Sequence, residues 1–319
     1  MAKSRTKKRK SQAPVALVYF VTLLIFFGII GAFALWLLNT YNIIGDDSSS
    51  EIETTSPSFS TLYARVNSKG VLADMTYVRV SPEKQTITVV PISAYTVAKD
   101  GSSTLREIYE KSGIVKVENA VEKTFEVTID NYVTVSNESF ETVADMFGGI
   151  SYTPNQELYY LSQDNNDNDI SLVEGELVNL SGRQIRLLCQ YPVFQEGKAG
   201  NTEFLGYAVN QIINSAFQQA TITKDNLNNL YNIVTENSDT NLSEDAFVTQ
   251  KAYLKEMLEA NLAPSTALCP KGTWTDDSHF TVSSEFIAEL GQAVNDGTVG
   301  INDSSDASAL NSDDTASAE

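Results

Sequence analysis

The sequence predicts an α/β domain, a sheet covered by helices on both faces, standing behind one membrane span. Three observations predict it. From Ser58 to about Asp296, β-branched and aromatic runs alternate with amphipathic stretches. Strands interleaved with helices of about 10–15 residues fold as layered α/β structures. Val15–Leu38 (VALVYFVTLLIFFGIIGAFALWLL) is a continuous apolar run, and charge is divided on either side of it. Six of the 22 basic residues fall within Met1–Lys10, none of Ser11–Gly45 is charged, and the first acidic residue is Asp46.

The apolar run has 24 positions, which at helical rise span roughly 36 Å, enough for a hydrocarbon core of about 30 Å. A cleaved signal peptide has a shorter apolar core, about 7–15 residues, followed by small residues. This run ends in Trp36-Leu37-Leu38, so the expectation is an uncleaved transmembrane helix over residues 14–38. The basic tail, residues 1–13, stays cytoplasmic by the positive-inside rule, and the rest is extracytoplasmic, single-pass at the cell membrane. A polar linker over 39–58 then leads to the domain at 59–296. Residues 297–319 form an acidic, small-residue tail that cannot bury a core.

Composition excludes several chemistries. The 319 residues hold 22 Lys+Arg against 41 Asp+Glu, a formal charge of −19. Nucleic-acid binding needs a basic face, so no nucleic-acid partner is expected. One His and two Cys are too few for a His/Cys metal cage. A Ser-His-Asp triad would rest on His279 alone, and His279 reads as structural.

Within the domain, Thr61–Val66, Met75–Val80 and Thr86–Pro91 read as strands separated by Asn67–Gly70 and Ser81–Lys84 turns. Thr104-Leu-Arg-Glu107 is a capping box that opens a helix ending near Gly113. A second helix carries Val117, Ala120 and Val121 on one face, and Tyr132–Val135 returns to strand. Phe140, Val143, Ala144 and Phe147 form a helical stripe ended by Gly148-Gly149. Ser181-Gly-Arg-Gln184 is a second capping box, leading into Ile185–Cys189. Further stripes are Leu205/Ala208/Ile212/Ala216, Leu227/Leu230/Tyr231/Val234 and Phe247/Leu254/Leu258. Short strands near Ala267 and at His279–Val282 precede a helix with Ile287 and Leu290.

This order of segments resembles the extracytoplasmic domain of the LytR–CpsA–Psr family. Val117–Ile150 (VENAVEKTFEVTIDNYVTVSNESFETVADMFGGI) is similar to that family's helix, its I-D-Y-Y-V-x-V strand and its F-x-x-L-V-D-x-L-G-G-V helix. Val173–Gln190 and Leu268–Phe280 resemble two later segments, so the likeness spans about Phe59–Val294. The resemblance implies a three-layer α/β/α sandwich with a central mixed sheet. It also implies a polyprenyl-pyrophosphate-linked glycan as donor and a phosphotransfer that moves the glycan to the cell wall, aided by Mg²⁺. Arg residues hold the pyrophosphate in the family, Asp residues hold the metal, and a hydrophobic groove holds the lipid. Pyrophosphate and Arg forks match geometrically, and carboxylates suit Mg²⁺ as hard oxygen ligands.

The chain departs from the family at these chemical positions. The I-P-R-D-x-Y motif reads Val90–Tyr95, with Ile92 and Ser93 at the Arg and Asp positions. The V-R-x-R motif reads Cys189–Pro192, with Gln190 and Pro192 in place of both Arg. The Arg-rich G-R-x-x-R-Q turn is matched by Gly200–Tyr207, which has no basic residue. Asn67 takes the first-strand Asp position, and Asp74 stands for the Asp of R-S-D-T without a neighbouring Arg. Asn67, Asp74, Ile92, Ser93, Gln190 and Pro192 are therefore the groove-mouth candidates, with Asp74 the candidate metal ligand.

Arg65, Lys69, Arg79, Arg106, Arg183, Arg186 and Lys198 are the basic residues available as substitutes, and two of them are the candidates. Arg65, in a strand, either faces the groove or is solvated; Arg186, one turn before Gln190, either reaches the site or is an ordinary surface Arg. Cys189 and Cys269 either form a disulfide or remain buried thiols. Removing one well-placed donor from such a site costs about 2.7–4 kcal/mol of barrier. The expectation is therefore an envelope-biogenesis protein that keeps a lipid groove while its family catalysis is lost or altered. The alternative is a non-catalytic lipid- or glycan-binding module that tethers envelope proteins.

Overall fold

The computed structural model describes residues 57–162, 169–260 and 263–296. The expected basic tail, the span at 14–38, the linker up to residue 56 and the acidic tail at 297–319 lie outside the described residues. Among the described residues, no helix is long and apolar enough to cross a membrane.

The three opening strands form an antiparallel meander: β1 (Phe59–Val66), β2 (Leu72–Ser81) and β3 (Thr86–Ser93). Parallel strands complete the sheet on either side, β4 (Asn131–Ser136) beside β1 and β9 (Ser265–Ala267) beside β3. The order β4-β1-β2-β3-β9 makes a mixed five-stranded sheet. Pro91 is tolerated in β3 because β9 pairs only with Ile87–Val89, so no neighbour needs its missing N–H.

Among the described residues, eight helices surround the sheet. Alternation along the strands decides which layer each side chain meets. Leu62, Ala64, Met75, Tyr77, Val90 and Ile92 face one way. They pack against α1 (Leu105–Ser112), α2 (Ile114–Phe125) and α8 (Ser284–Asp296) through Leu105, Val117, Val121 and Phe286. On the opposite face Val80, Ile87 and Val89 meet α5 (Lys198–Gln218), α6 (Ala220–Thr235) and α7 (Glu244–Glu259) through Phe217, Leu227, Met257 and Leu258. A third cluster, with Ala144, Ile150, Ile185 and Leu205, joins α3 (Asn137–Met146) and α4 (Gly182–Leu188) to α5.

Both capping boxes form: Thr104 accepts from the Glu107 N–H and Ser181 from the Gln184 N–H. Gly149 follows α3 at φ +74°, and a Cβ there would lie 2.0 Å from the Leu180 carbonyl oxygen, so glycine alone fits. Three small strand pairs complete the fold: β5 (Ile150–Tyr152) with β8 (Val178–Leu180), β6 (Leu158–Tyr160) with β7 (Ile170–Leu172), and β10 (Gly272–Asp276) with β11 (His279–Val282). Of these six only β11 is legible beforehand; β5 to β8 have three residues each, too short to display a period of two.

Candidate functional site

Strand register builds the centre of the site. Arg65 on β1 lies directly opposite Asp74 on β2, and Asp74 lies opposite Ser93 on β3. Directly opposed residues project to the same face, so the three side chains form a row on the α5–α7 side of the sheet. Arg65 is 3% exposed and Asp74 8%. The Arg65 Nε donates to Asp74 Oδ1 at 3.0 Å, Nη2 donates to Oδ2, and Nη1 donates to Asn137 Oδ1 at 3.0 Å. Its Cζ stands 5.4 Å from the Phe140 ring centre. Burial works against the Arg65 charge, but the charge and hydrogen bonds of Asp74, together with Cys189 and Glu141, hold the guanidinium above its ordinary range. Of the two readings open for Arg65, the solvated one is therefore replaced by a buried ion pair.

Two spaces meet at this row. An apolar cavity of about 320 Å³ lies between the sheet and α3, α5, α6 and α7, lined by Phe59, Tyr63, Val78, Phe147, Val209, Ala216, Leu227 and Leu254 among others. A polar pocket of about 170 Å³ adjoins it, and Asp74 and Leu205 line both. The polar pocket gathers Asn67, Asp74, Ile92, Ser93 and Gln190, residues far apart in sequence, together with Cys189, Tyr95, Arg106, Lys198, Asn201 and Thr202.

Not every expected residue sits there in the expected way. Pro192 is exposed and does not line the pocket, because the chain turns away after Tyr191, whose side chain is buried. Ile92 is 1% exposed, its side chain in the core on the other face of the sheet. Arg186 pairs with Glu141 of α3 and does not line the pocket. This follows from how closely α4 packs on α3, where a Cβ on Gly182 would lie 2.2 Å from the Glu141 carbonyl oxygen.

Of the two alternatives open for the cysteines, the free thiols hold and the disulfide is not formed. Cys189 and Cys269 are both free thiols. Burial pushes each up to about 12, with Asp74 adding to the effect at Cys189 and Glu203 at Cys269.

Arg106 and Lys198, available basic residues that the sequence reading did not single out, line the pocket. The Arg106 guanidinium carbon lies 5.6 Å from the Tyr95 ring centre, and Lys198 Nζ lies 5.9 Å from the same centre. The Arg106 Nη1 also donates to Tyr95 Oη at 3.0 Å, and its Nε contacts Glu110 at 3.4 Å. Arg106 belongs to the Thr104–Glu107 capping box, and Lys198 opens α5 just ahead of the segment matched to the family's Arg-rich turn. A search of flanking residues would have found Lys198; nothing in the spacing marks Arg106. Asp74 is the one carboxylate among the described residues lining the pocket. Among the described residues, no group of three His, Cys, Asp or Glu could hold a metal.

The chain belongs to the LytR_cpsA_psr family, whose sequence profile matches residues 42–294. It is 26% identical over 220 residues to the polyisoprenyl-teichoic acid–peptidoglycan teichoic acid transferase TagU of Bacillus licheniformis, covering 65% of this chain and 67% of that protein. In fold it resembles the crystal structure of a protein from Eubacterium siraeum, with a TM-score of 0.67 and 16% identity over 79% of this chain and 98% of the other. It also resembles TagT bound to LIIa-WTA, with a TM-score of 0.57 and 13% identity over 75% and 90%.

Proposed function

We propose that this member of the family holds a polyprenyl-linked glycopolymer at the outer face of the cell membrane and passes it to the cell wall, through an altered phosphate grip. One observation carries the reading: an apolar cavity of about 320 Å³ shares Asp74 and Leu205 with a polar pocket lined by Arg106 and Lys198. Such a pair of spaces suits an amphiphile with a hydrocarbon tail and an anionic head. The similarity to TagU, named a teichoic acid transferase, and to TagT, solved with LIIa-WTA, supports the same reading. The apolar run Val15–Leu38 would tether the domain where such a lipid resides.

In this reading the prenyl chain occupies the apolar cavity, and Arg106 and Lys198 hold the pyrophosphate at its mouth. The acceptor hydroxyl attacks the glycan-bearing phosphorus and gives its proton to solvent water. The bond to the bridging oxygen breaks, and polyprenyl phosphate leaves with the electron pair. Fixed cations near that oxygen stabilise the charge that develops there. Ile92, Gln190 and Pro192 supply no charge where the family carries Arg, so transfer is expected to be slower than in the family pattern.

A second reading, a non-catalytic carrier or scaffold for envelope proteins, is favoured by the Asp74 carboxylate. Both its oxygens are engaged by Arg65, which leaves no free carboxylate among the described residues lining the pocket. Full-length protein in detergent, given a polyprenyl-pyrophosphate-linked glycan and peptidoglycan oligomers, separates the two. Release of polyprenyl phosphate with glycan on the acceptor supports transfer, binding without release supports the carrier, and absence of binding overturns both.

A further inference from the structure

The donor set beneath the pocket is unlike one built for a divalent cation. Mg²⁺ demands near-octahedral oxygen ligation and is usually held by one or two carboxylates plus substrate phosphates. Asp74 is the single carboxylate among the described residues lining the pocket. Both its oxygens accept from Arg65, which the β1–β2 register sets directly opposite. The guanidinium is fixed on its other side by Asn137 and by the Phe140 ring. A metal at Asp74 would displace Arg65 and leave a guanidinium, 3% exposed, buried without its counter-ion. Breaking a buried pair by removing one partner is strongly unfavourable.

Positive charge arrives from elsewhere. In a chain of formal charge −19, the described lining of this pocket carries Lys198, Arg106 with its exposed partner Glu110 at 3.4 Å outside the lining, and a carboxylate already neutralised by Arg65. A locally positive recess on an acidic protein focuses anions. Ser93 adds a hydroxyl that accepts from the Tyr95 N–H at 3.2 Å and keeps its own hydrogen to donate. Asn201 also lines the pocket at 8% exposure, and its Oδ1 has no hydrogen-bond partner while its Nδ2 donates to the Leu188 and Tyr191 carbonyls. An acceptor left in that state suits a hydroxyl or amide N–H of a sugar beside the phosphate.

We propose that this chain grips the phosphate head of its lipid with side-chain cations alone, the Arg65 guanidinium standing on Asp74 where a divalent metal would bind. The inference rests on the lipid-holding reading above and adds that headgroup binding is independent of Mg²⁺. Arg106 and Lys198 are the residues that reach the phosphate, and Arg65 is a positioning residue that keeps Asp74 from repelling it.

Calorimetric titration of the full chain in detergent, with geranylgeranyl pyrophosphate and with geranylgeraniol, each in EDTA and in Mg²⁺, tests this. The expected result in EDTA is pyrophosphate binding at least about tenfold tighter than the alcohol, changing by less than about threefold when Mg²⁺ is added. The double variant Arg106→Gln/Lys198→Gln is expected to lose that advantage while its affinity for the alcohol stays unchanged. A gain of about tenfold or more on adding Mg²⁺ overturns the inference. Equal affinity for alcohol and pyrophosphate in EDTA also overturns it, while leaving the lipid-holding reading intact. If neither lipid binds, that underlying reading fails as well.

Discussion

Replacing Asp74 by Ala removes the counter-ion of a guanidinium that is 3% exposed. Arg65 then loses two of its three side-chain hydrogen bonds and keeps only the one to Asn137. Hydrogen bonds to a charged group are worth about 1.5–3 kcal/mol each, so two give about 3–6 kcal/mol. Breaking a buried ion pair on one side independently costs about 3–5 kcal/mol. For a domain of this size, each kcal/mol moves the melting temperature by about 2–4 °C, so the expected drop is about 6–20 °C. The informative partner is Arg65→Met/Asp74→Leu, which removes both charges and leaves apolar side chains beside Phe140 and the cavity. Such replacements are often neutral or stabilising, so this variant is expected to fall within about 1 kcal/mol of the parent or above it. Urea unfolding with a common slope, alongside thermal melting, measures both. A drop below about 2 °C for Asp74→Ala would mean the pair is effectively solvated. A double variant as unstable as the single one would mean that lost packing, and not an orphaned charge, governs the site.

Gly182→Ala is expected to destabilise by about 1–3 kcal/mol or more in urea unfolding, because its Cβ would meet the Glu141 backbone at 2.2–2.8 Å. Gly291→Ala in α8, with nothing within 4 Å, should instead stabilise by about 0.4–1 kcal/mol. Ala216→Phe, projecting into the apolar cavity, is expected to weaken geranylgeraniol binding by about tenfold, which is about 1.4 kcal/mol; unchanged affinity would mean that the lipid lies elsewhere. The two thiols, raised from 9.0 to about 12, should resist an aromatic disulfide reagent at pH 8 in the native protein and react at once in urea. Stability tied to their protonated state is complete below pH 9 and lost as pH climbs toward 12. The urea midpoint should therefore fall over that interval, and less steeply in Cys189→Ala.

Much of the architecture is legible in local pattern. The Phe140/Val143/Ala144/Phe147 stripe becomes α3 and its two terminal glycines, and both capping boxes sit where their Ser/Thr–x–x–Glu/Gln spacing puts them. The Asn67–Gly70 turn joins β1 to β2 through the Gly70 N–H bond to the Asn67 carbonyl. The site is less legible. Motif alignment brings Asn67, Asp74, Ser93 and Gln190 to one pocket but misses Arg106 and Lys198, since it looks for charge only where the family carries it. Arg65 reads either way in a strand, because alternation assigns a face without saying which layer covers it.

What the sequence determined on its own is the main-sheet strands and most of the helices, their order and the two capping boxes, the mixed α/β class, and the separation of a basic end from an acidic domain. These follow from spacing within a dozen residues, where hydrophobic period and capping chemistry act. The tertiary structure alone decided that Asp74 is held by Arg65, that Cys189 and Cys269 stay apart, that Arg186 turns to Glu141, and that Arg106 and Lys198 flank one tyrosine. Each of these depends on strand register and on how layers meet, which are set by contacts among residues far apart in the chain.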